Sequence, residues 1–265
     1  MSDFHVSELY IYPVKSCRGI KLDVSELEAF GLKHDRRWMV VDSGGVMLTQ
    51  RKLARMCLIQ PELIQNGIML KAAGMNDISI DIPATENRIN VKVWNDHCQA
   101  LDAGDDVANW LSQFLQRRCR LVYFPDDEFR QVDQAYAQAG DKTAFSDGFP
   151  LLLISQASLD DLNQRMDKPL AMNRFRPNIV IQGCTAFAED EWKKIRIGNI
   201  ELRVVKPCSR CVIPSINIET AEREEEPTKT LISYRKRNNK IYFGQNLIAN
   251  TYGKIEVGMH VVLLE

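Results

Sequence analysis

Long apolar runs are missing from this chain of 265 residues, and no stretch is long enough to cross a bilayer as a helix. An excess of charge is missing as well, because 34 lysines and arginines face 35 aspartates and glutamates, for a net charge of -1. This balance argues against a general nucleic-acid binder, whose surface is basic. The N-terminal segment alternates like a strand and does not resemble a signal peptide. We therefore expect a cytoplasmic protein that contacts neither a membrane nor a nucleic-acid polymer.

Ordered patterns of cysteine and histidine are also missing. The four histidines lie far apart, and the seven cysteines are scattered and odd in number. These features argue against a disulfide framework and against a zinc ribbon, which needs two close ligand pairs. One close pair remains, Cys208 and Cys211. The hydrophobic fraction of 45% predicts a folded chain with a substantial core.

Short strand-like segments dominate the sequence. Runs rich in β-branched and aromatic residues, separated by turn-forming residues, predict strands. They lie at 4–12, 38–41, 68–71, 78–82, 89–93, 98–101, 119–124, 151–154, 179–181, 200–205, 212–218, 240–243 and 260–264. Asn95 and Asp96 predict a hairpin turn. The polar and acidic segment 125–143 is typical of a long surface loop, and such loops are often functional.

Apolar residues at helical spacing predict helices at 105–116, 155–166 and 229–236. Asp105 or Asp106 can cap the first of them, and Ser155 or Ser158 the second. The predicted fold class is therefore mixed but mainly β, a β-barrel-based and mostly antiparallel architecture with a few short helices. A domain boundary is expected near residue 124.

The segment 12–19 is the first of four candidate site segments. Lys15, Ser16 and Arg18 place two cations and a hydroxyl on a turn after the first strand. This composition can hold a phosphate, and it is equally typical of a solvated turn. The segment by itself leaves both readings open.

The segment 31–38 contains Arg36 and Arg37 just before a strand. At a strand edge one of the two arginines should point inward and the other outward. The inward arginine needs a partner, because an unpaired buried charge is very costly. That partner is either Asp35 or an anionic ligand.

The segment 173–178 places Arg176 before Pro177, which should hold Arg176 in an extended conformation. Arginine suits planar, bidentate recognition of phosphate or of a heteroaromatic edge. The alternative is an ordinary surface arginine.

The segment 206–212 carries the Cys-x-x-Cys pair. A thioredoxin-like redox pair requires a helix after the first cysteine, whereas the following residues are predicted to continue as a strand. The remaining interpretation is one reactive thiolate on a loop, with Lys206 and Arg210 lowering the thiol pKa. A thiolate is a soft ligand for a transition metal.

Taken together, six motifs resemble the MOSC superfamily, in its amidoxime-reducing branch with an N-terminal MOSC β-barrel domain. They are Tyr-Pro-Val-Lys-Ser-Cys at 12–17, Asp-Arg at 35–36, Phe-Ser-Asp at 145–147, Asn-x-Phe-Arg-Pro-Asn-Ile-Val at 173–180, Cys-Ser-Arg-Cys at 208–211 and Phe-Gly-Gln-Asn at 243–246. The resemblance spans nearly the whole chain in order. It implies an N-terminal MOSC β-barrel domain at 1–124 and a MOSC domain at 125–265.

The resemblance implies a molybdenum–molybdopterin cofactor whose metal is ligated by the thiolate of Cys211, while Cys208 is not the expected ligand. Asp147 is implied as a second catalytic residue that contacts the pterin or assists proton delivery. Seven residues are implied as cofactor-binding: Lys15, Ser16, Arg36, Arg176, Ser209, Arg210 and Asn246. The implied activity is the two-electron reduction of small N-hydroxylated substrates, N–OH to N–H.

Some relatives in this branch carry a C-terminal iron–sulfur domain, but no cysteine follows Cys211 here. Electrons are therefore expected from a separate reductase protein. Two alternatives remain. One is a non-catalytic carrier of the cofactor or of a persulfide on Cys211. The other is a thiol oxidoreductase that uses Cys208 and Cys211 as a redox pair.

Overall fold

The computed structural model describes residues 4–84 and 87–265. The first half contains strands β1 to β11 and helix α1, which are β1 His5–Ile11, β2 Ile20–Leu22, β3 Val24–Glu28, β4 Gly31–Leu32, β5 Trp38–Val41, β6 Gln60–Ile64, β7 Gly67–Lys71, β8 Ile78–Asp81, β9 Arg88–Val93, β10 Asp96–Asp102, α1 Asp105–Leu115 and β11 Arg120–Tyr123. The second half contains β12 Leu151–Ser155, α2 Gln156–Gln164, β13 Ile179–Gln182, β14 Lys194–Ile197, β15 Ile200–Ser209, α3 Thr228–Arg235, β16 Lys236–Arg237, β17 Lys240–Ala249, β18 Gly253–Glu256 and β19 Val261–Leu263.

The strands of the described residues form four sheets. The largest has nine strands in the order β19-β14-β15-β17-β12-β13-β1-β2, with β16 paired to β17. A four-stranded sheet has the order β5-β11-β10-β9, and two three-stranded sheets have the orders β18-β3-β4 and β6-β7-β8. Among the ladders that the described residues form, only β12 and β13 run parallel. The prediction of a mainly β, mostly antiparallel fold is confirmed.

The two halves of the chain share sheets. Strand β1 pairs with β13 through His5 and Gln182, and β3 pairs with β18. Strands β1 to β4 therefore pack with the second half, whereas β5 to β11 form the remaining two sheets. The domain boundary near residue 124 stays a prediction.

Helix α1 packs on the smaller sheets with the face that the sequence predicts. Its residues Val107, Trp110, Leu111, Phe114 and Leu115 are buried. They join the side chains of β5, β7 and β11 in one apolar cluster, because apolar residues three and four apart share one side of a helix. The predicted aspartate cap is wrong. The N-cap is Gly104, and the two aspartates stand inside the first turn, where they face the positive end of the helix dipole.

Helix α2 does begin with a serine cap, because the Ser155 hydroxyl accepts a hydrogen bond from the Ser158 backbone N–H at 3.1 Å. The hairpin turn between β9 and β10 consists of Trp94 and Asn95, one residue earlier than predicted, since Val93 pairs with Asp96. Within the described residues, none of the helices combines the length and apolarity that a membrane crossing requires.

The predicted strand at 212–218 is wrong. Residues Ile213–Ser215 form a 3-10 turn, with hydrogen bonds from Ser215 to Val212 and from Ile216 to Ile213. Proline cannot donate to a ladder, so Pro214 favours this turn over a strand. The preceding strand β15 is instead longer than predicted and runs to Ser209. Cys211 therefore lies in the irregular segment just after a strand.

Segment 125–143 has no helix or strand, as the sequence predicts. It is nevertheless fixed at both ends. The Arg130 side chain bonds to Asp96 and to backbone carbonyls of 144 and 146. The guanidinium of Arg203 holds both carboxylate oxygens of Asp141 at 2.8 Å.

Candidate functional site

All nine residues that the resemblance implies as catalytic or cofactor-binding line one cleft. It holds about 750 Å³ of space between protein atoms, its open mouth included. These residues come from six separate parts of the chain: Lys15, Ser16, Arg36, Asp147, Arg176, Ser209, Arg210, Cys211 and Asn246. We refer to it below as the main cleft. Arg18 does not line it, and bonds instead to the carbonyl of Ile218 and the carboxylate of Glu219.

Backbone hydrogen bonds tie three loops of the cleft together. The N–H of Lys15 donates to the Trp38 carbonyl at 2.8 Å, and the N–H of Arg36 donates to the Tyr12 carbonyl at 2.9 Å. The N–H of Phe145 donates to the Arg36 carbonyl at 3.1 Å. The loops after β1, before β5 and before β12 are thereby held in register, which fixes the side chains that they carry.

Three of the cleft residues have left-handed backbones, with φ of 69° at Ser16, 47° at Arg36 and 58° at Arg176. Such conformations are uncommon for residues other than glycine, and they cluster at functional sites. The prediction of an extended Arg176 is therefore wrong. Arg176 ends the turn Met172–Phe175 as its left-handed cap, with its N–H bonded to the Asn173 carbonyl. The turn's hydrogen bond overrides the preference that the following proline imposes.

Tyr12 carries two of the cleft cations on its buried ring. The guanidinium carbon of Arg176 lies 4.1 Å from the ring centre, and that of Arg36 lies 4.6 Å from it. Burial, together with the charge of Arg36, lowers the pKa of Arg176 to about 10. Arg176 stays charged at neutral pH and donates to the Cys17 carbonyl at 2.6 Å. Cation–π contact lets the ring hold both cations side by side.

Arg36 points into the cleft and is held by protein acceptors. It donates to Asp35 at 2.6 Å and to the side-chain oxygen of Asn178 at 2.9 Å. Although burial by itself lowers the pKa of Arg36, the Asp35 carboxylate outweighs it and raises that pKa. Arg37 does not point out to solvent as predicted. It is buried, bonded to the Phe124 carbonyl and to Asp126, because the strand that follows is buried on both faces.

Asp147 accepts hydrogen bonds from three side chains at the main cleft. Its carboxylate accepts from Lys15 at 2.5 Å, from Arg51 at 2.8 Å and from the indole N–H of Trp94 at 3.2 Å. Burial raises the pKa of this carboxyl, but Lys15 and Arg51 outweigh that effect and hold it well below its usual range. Its side chain is 51% exposed, so water screens part of this charge. Asp147 is therefore an ionised acceptor at neutral pH.

Lys15 is almost fully buried, which lowers its pKa to about 8, with Asp147 offsetting part of the effect. It also donates to the Phe145 carbonyl at 2.7 Å. A pKa near 8 keeps the ammonium mostly protonated at neutral pH, so Lys15 contributes a positive charge to the cleft.

The two cysteines of the pair have different neighbours. Arg210 donates to the sulfur of Cys208 at 3.3 Å and to the Phe175 carbonyl at 2.6 Å. The cation that interacts with the thiol of Cys211 is Arg51, and burial, which lowers the pKa of Arg51, is outweighed by Asp147 and Cys211. The expectation that Lys206 and Arg210 surround the reactive thiol is thus revised toward Arg51. Lys206 instead lies 3.8 Å from the ring centre of Tyr136.

Ser209 and Asn246 sit on neighbouring strands of the large sheet. Ser209 ends β15, and Asn246 lies in β17, where its side chain donates to the Lys206 carbonyl at 3.1 Å. Both line the main cleft beside the cysteines. The long pairing of β15 with β17 fixes their positions.

The lining chemistry suits an anionic group together with one soft metal. Five lining side chains are cationic (Lys15, Arg36, Arg51, Arg176 and Arg210) and one is a carboxylate. The Nε atom of Arg210 is buried and has no hydrogen-bond partner in the protein. Among residues 4–84 and 87–265, no three histidines, cysteines or carboxylates are grouped to hold a metal by themselves. A metal bound by one protein thiolate here needs further ligands from a cofactor.

Sequence reasoning missed three residues of this arrangement. Arg51 follows Gln50 in a charged stretch typical of a surface, and Trp94 lies between the predicted strand 89–93 and the predicted turn. Both meet Asp147, which is 96 and 53 positions away in sequence. Asn178 lies in the motif at 173–180, but the sequence does not indicate a role for its side chain. Its side chain bonds to Arg36, to the Leu152 N–H and to the Tyr10 carbonyl.

Comparison with known proteins gives the class. The family model for the MOSC N-terminal beta barrel domain matches residues 3–118, and that for the MOSC domain matches residues 140–262. The chain belongs to the MOSC family, and carries both of these domains. The resemblance and the fold class that the sequence predicts are confirmed.

The curated relatives are more specific. Mitochondrial amidoxime-reducing component 1 from Mus musculus is 38% identical, with 98% of this chain and 82% of the relative covered. The human protein of that name is 37% identical over the same shares. Mitochondrial amidoxime reducing component 2 from Bos taurus is 34% identical, with 96% and 80% covered. Among solved structures, the YUAD protein from Bacillus subtilis matches with a TM-score of 0.45 at 10% identity, over 97% of this chain and 93% of that one.

Proposed function

We propose that this chain is a molybdenum-cofactor-dependent reductase of N-hydroxylated compounds, with Cys211 as the thiolate ligand of the metal. The observation that carries the proposal is the meeting of five cationic side chains and the Cys211 thiol in one cleft of a near-neutral protein. A phosphate-bearing cofactor needs such a local cation cluster. The names of the relatives point to the reaction, since they are amidoxime-reducing components.

Specific residues fit the cofactor's parts. Lys15, Ser16, Arg36 and Arg176 supply charge and donors for the phosphate end. Ser209, Arg210 and Asn246 lie beside the cysteine pair and supply contacts near the metal end, where the Arg210 Nε atom lacks a protein partner. When bound, the cofactor supplies two electrons, which with two protons convert an N–OH group to N–H and release water.

Several residues of the protein keep the charged side chains of the main cleft in place. Asp147 stays ionised, so we assign it the role of ordering Lys15 and Arg51 rather than that of a proton donor. Arg51 contacts both the Asp147 carboxylate and the Cys211 thiol, and so holds a positive charge beside the sulfur that we assign as the metal ligand. The buried ring of Tyr12 keeps Arg36 and Arg176 in place before any cofactor binds. Electrons come from a separate reductase protein, and we keep the cytoplasm as the proposed location.

The test is the metal and pterin content of protein made in cells that synthesise the cofactor, for wild type and Cys211→Ser. We expect near-stoichiometric molybdenum and pterin in the wild type, and an altered metal spectrum or metal loss in the variant. A known molybdoenzyme from the same cells is the loading control. If the control is loaded but this chain holds neither molybdenum nor pterin, the proposal fails. Cofactor bound without any N-reduction points to a carrier instead.

A further inference from the structure

A second cleft adjoins the main one. It holds about 1240 Å³ of space between protein atoms, its open mouth included, against about 750 Å³ for the main cleft. The two clefts share a wall that includes Asp147, Gly148, Phe149 and Cys208. A molecule in the second cleft therefore reaches Cys208 and borders the main cleft, which Cys211 lines. We call it the aromatic cleft, after Trp94, Phe149 and the adjoining Tyr136.

Trp94 forms one side of the aromatic cleft and is held there at a conformational cost. It lies at the tip of the β9–β10 hairpin with φ of 57°, which is unfavourable for a bulky residue. Its side chain is 42% exposed. The indole N–H donates to Asp147, and the Arg51 guanidinium lies 4.5 Å from the ring centre. A large apolar ring fixed in solvent at the edge of a site is typical of a binding platform.

Tyr136 and Phe149 provide further aromatic surface. Their ring centres are 6.2 Å apart at 75°, and the Lys206 ammonium lies 3.8 Å from the centre of Tyr136. Tyr136 is 40% exposed and belongs to segment 125–143, which the Asp141–Arg203 ion pair anchors. The position of the Tyr136 ring is therefore set by packing on Phe149, a residue that lines both clefts.

The charges of the aromatic cleft disfavour an anionic occupant. Its two cations are engaged already, Arg130 by Asp96 and by backbone carbonyls, and Lys206 by the ring of Tyr136. The carboxylates of Asp96, Asp133 and Asp147 also line it. Asp96 is paired with Arg130, and Asp147 with Lys15 and Arg51, so among the described residues Asp133 remains as the lining carboxylate without an ion pair. Its charge favours a neutral or cationic molecule with a flat apolar part over an anion.

We propose that the aromatic cleft binds the carbon substituent of the substrate and selects planar aromatic N-hydroxylated compounds, neutral or cationic, over aliphatic ones. This inference rests on the proposed function, because it takes the N–OH group to face the shared wall at Cys208 and Asp147. The rings of Trp94, Tyr136 and Phe149 contact the flat substituent, and stacking gives the selectivity.

The first test compares benzamidoxime with acetamidoxime, which share the reacting group and differ in the ring, as substrates of the cofactor-loaded protein. We expect Tyr136→Ser to raise the KM for benzamidoxime by about five- to tenfold, as the loss of one aromatic contact implies. The KM for acetamidoxime should rise less than about twofold. The matched control is Phe129→Ser, which removes a ring that is 52% exposed in the same segment but outside the cleft. Equal changes for both substrates would overturn the inference.

A second readout needs no turnover. Trp94 is the exposed one of the four tryptophans, since Trp38, Trp110 and Trp192 are buried. Benzamidoxime added to the loaded protein without reductant should quench tryptophan fluorescence, acetamidoxime should not, and Trp94→Leu should abolish the quenching. Quenching without N-reduction refutes the proposed function and leaves the aromatic cleft supported. N-reduction with equal KM for both compounds and no quenching refutes the aromatic cleft alone.

Discussion

The guanidinium of Arg176 stacks on the buried ring of Tyr12 at 4.1 Å, and that ring's hydroxyl is buried without a hydrogen-bond partner in the protein. The Tyr12 ring therefore stabilises Arg36 and Arg176 by cation–π contact, while its buried hydroxyl without a partner destabilises the fold. Gly19 leaves the space for it, because a Cβ there would stand 2.4 Å from the Tyr12 ring. The cation cluster of the main cleft is built on a platform within the core.

Tyr12→Phe tests this relationship. It keeps the ring and removes an unpartnered hydroxyl, so we expect the free energy of unfolding to rise by about 1 kcal/mol. Tyr12→Leu removes the contact with both guanidiniums and should lower the free energy of unfolding by about 1–2 kcal/mol. Urea denaturation of the three proteins measures both effects. A phenylalanine variant less stable than wild type would show that the hydroxyl has a partner in solution.

Asn178→Ala should destabilise the protein by about 3 kcal/mol. The substitution leaves the Leu152 N–H, the Tyr10 carbonyl and one donor of Arg36 without their partner in a fully buried position. The control is Asn199→Ala, at an exposed asparagine, which should change stability by less than about 0.5 kcal/mol. Similar losses in the two variants, measured by denaturation, would contradict the role of Asn178 as a buried connector.

Cys211→Ser and Cys208→Ser should differ in activity. With Cys211 as the metal ligand, its loss should cost more than about 100-fold in turnover, whereas Cys208→Ser, at a neighbouring position, should cost about tenfold or less. Initial rates of N-reduction with a chemical reductant, normalised to metal content, measure the difference. Equal losses, together with a reversible disulfide in the wild type, would favour the thiol-pair alternative.

Stability should depend on the Asp102–Arg120 pair in acid. Burial raises the pKa of Asp102, but the hydrogen bonds from Arg120 and from the Gly104 N–H outweigh it and lower that pKa below 3.8. A carboxyl with a depressed pKa in the folded state stabilises the fold above its ordinary pKa, and that contribution is lost as the pH falls through the folded-state value. The difference in the free energy of unfolding between wild type and Asp102→Asn should therefore shrink as the pH falls from 6 to 2. These two values lie about two pH units above and below the ordinary pKa of an aspartate. A constant difference would contradict the assignment.

The sequence predicts elements whose signals are local and misses those set by distant partners. Helix α1 shows its buried face in its own spacing, and the cap at Ser155 needs only Ser158 nearby. The segment 212–218 has the composition of a strand, yet residues Ile213–Ser215 form a 3-10 turn, which Pro214 favours. No local pattern predicts that β3 pairs with β18.

The same reasoning holds for the site. The motif residues converge on one cleft, as the resemblance implies. Arg51 and Trp94 carry no signal of their own, because their importance comes from a shared carboxylate far away in the sequence. The left-handed backbone at Arg176 arises from a turn whose hydrogen bond outweighs the proline rule. Contacts between residues far apart in sequence thus determine which side chains contribute to the site, and the local composition does not predict these contacts.

The pairing of β1 with β13 has a consequence for synthesis on the ribosome. His5 finds its partner Gln182 only after more than half of the chain has been made. Until then the edge of β1 that pairs with β13 is exposed, although β2 can cover the other edge, and an exposed strand edge favours aggregation of the nascent chain. Loop closure over such distances makes folding slow. A fragment that begins after residue 124 lacks the strand that covers β13, so the second half of this protein depends on the first for its solubility.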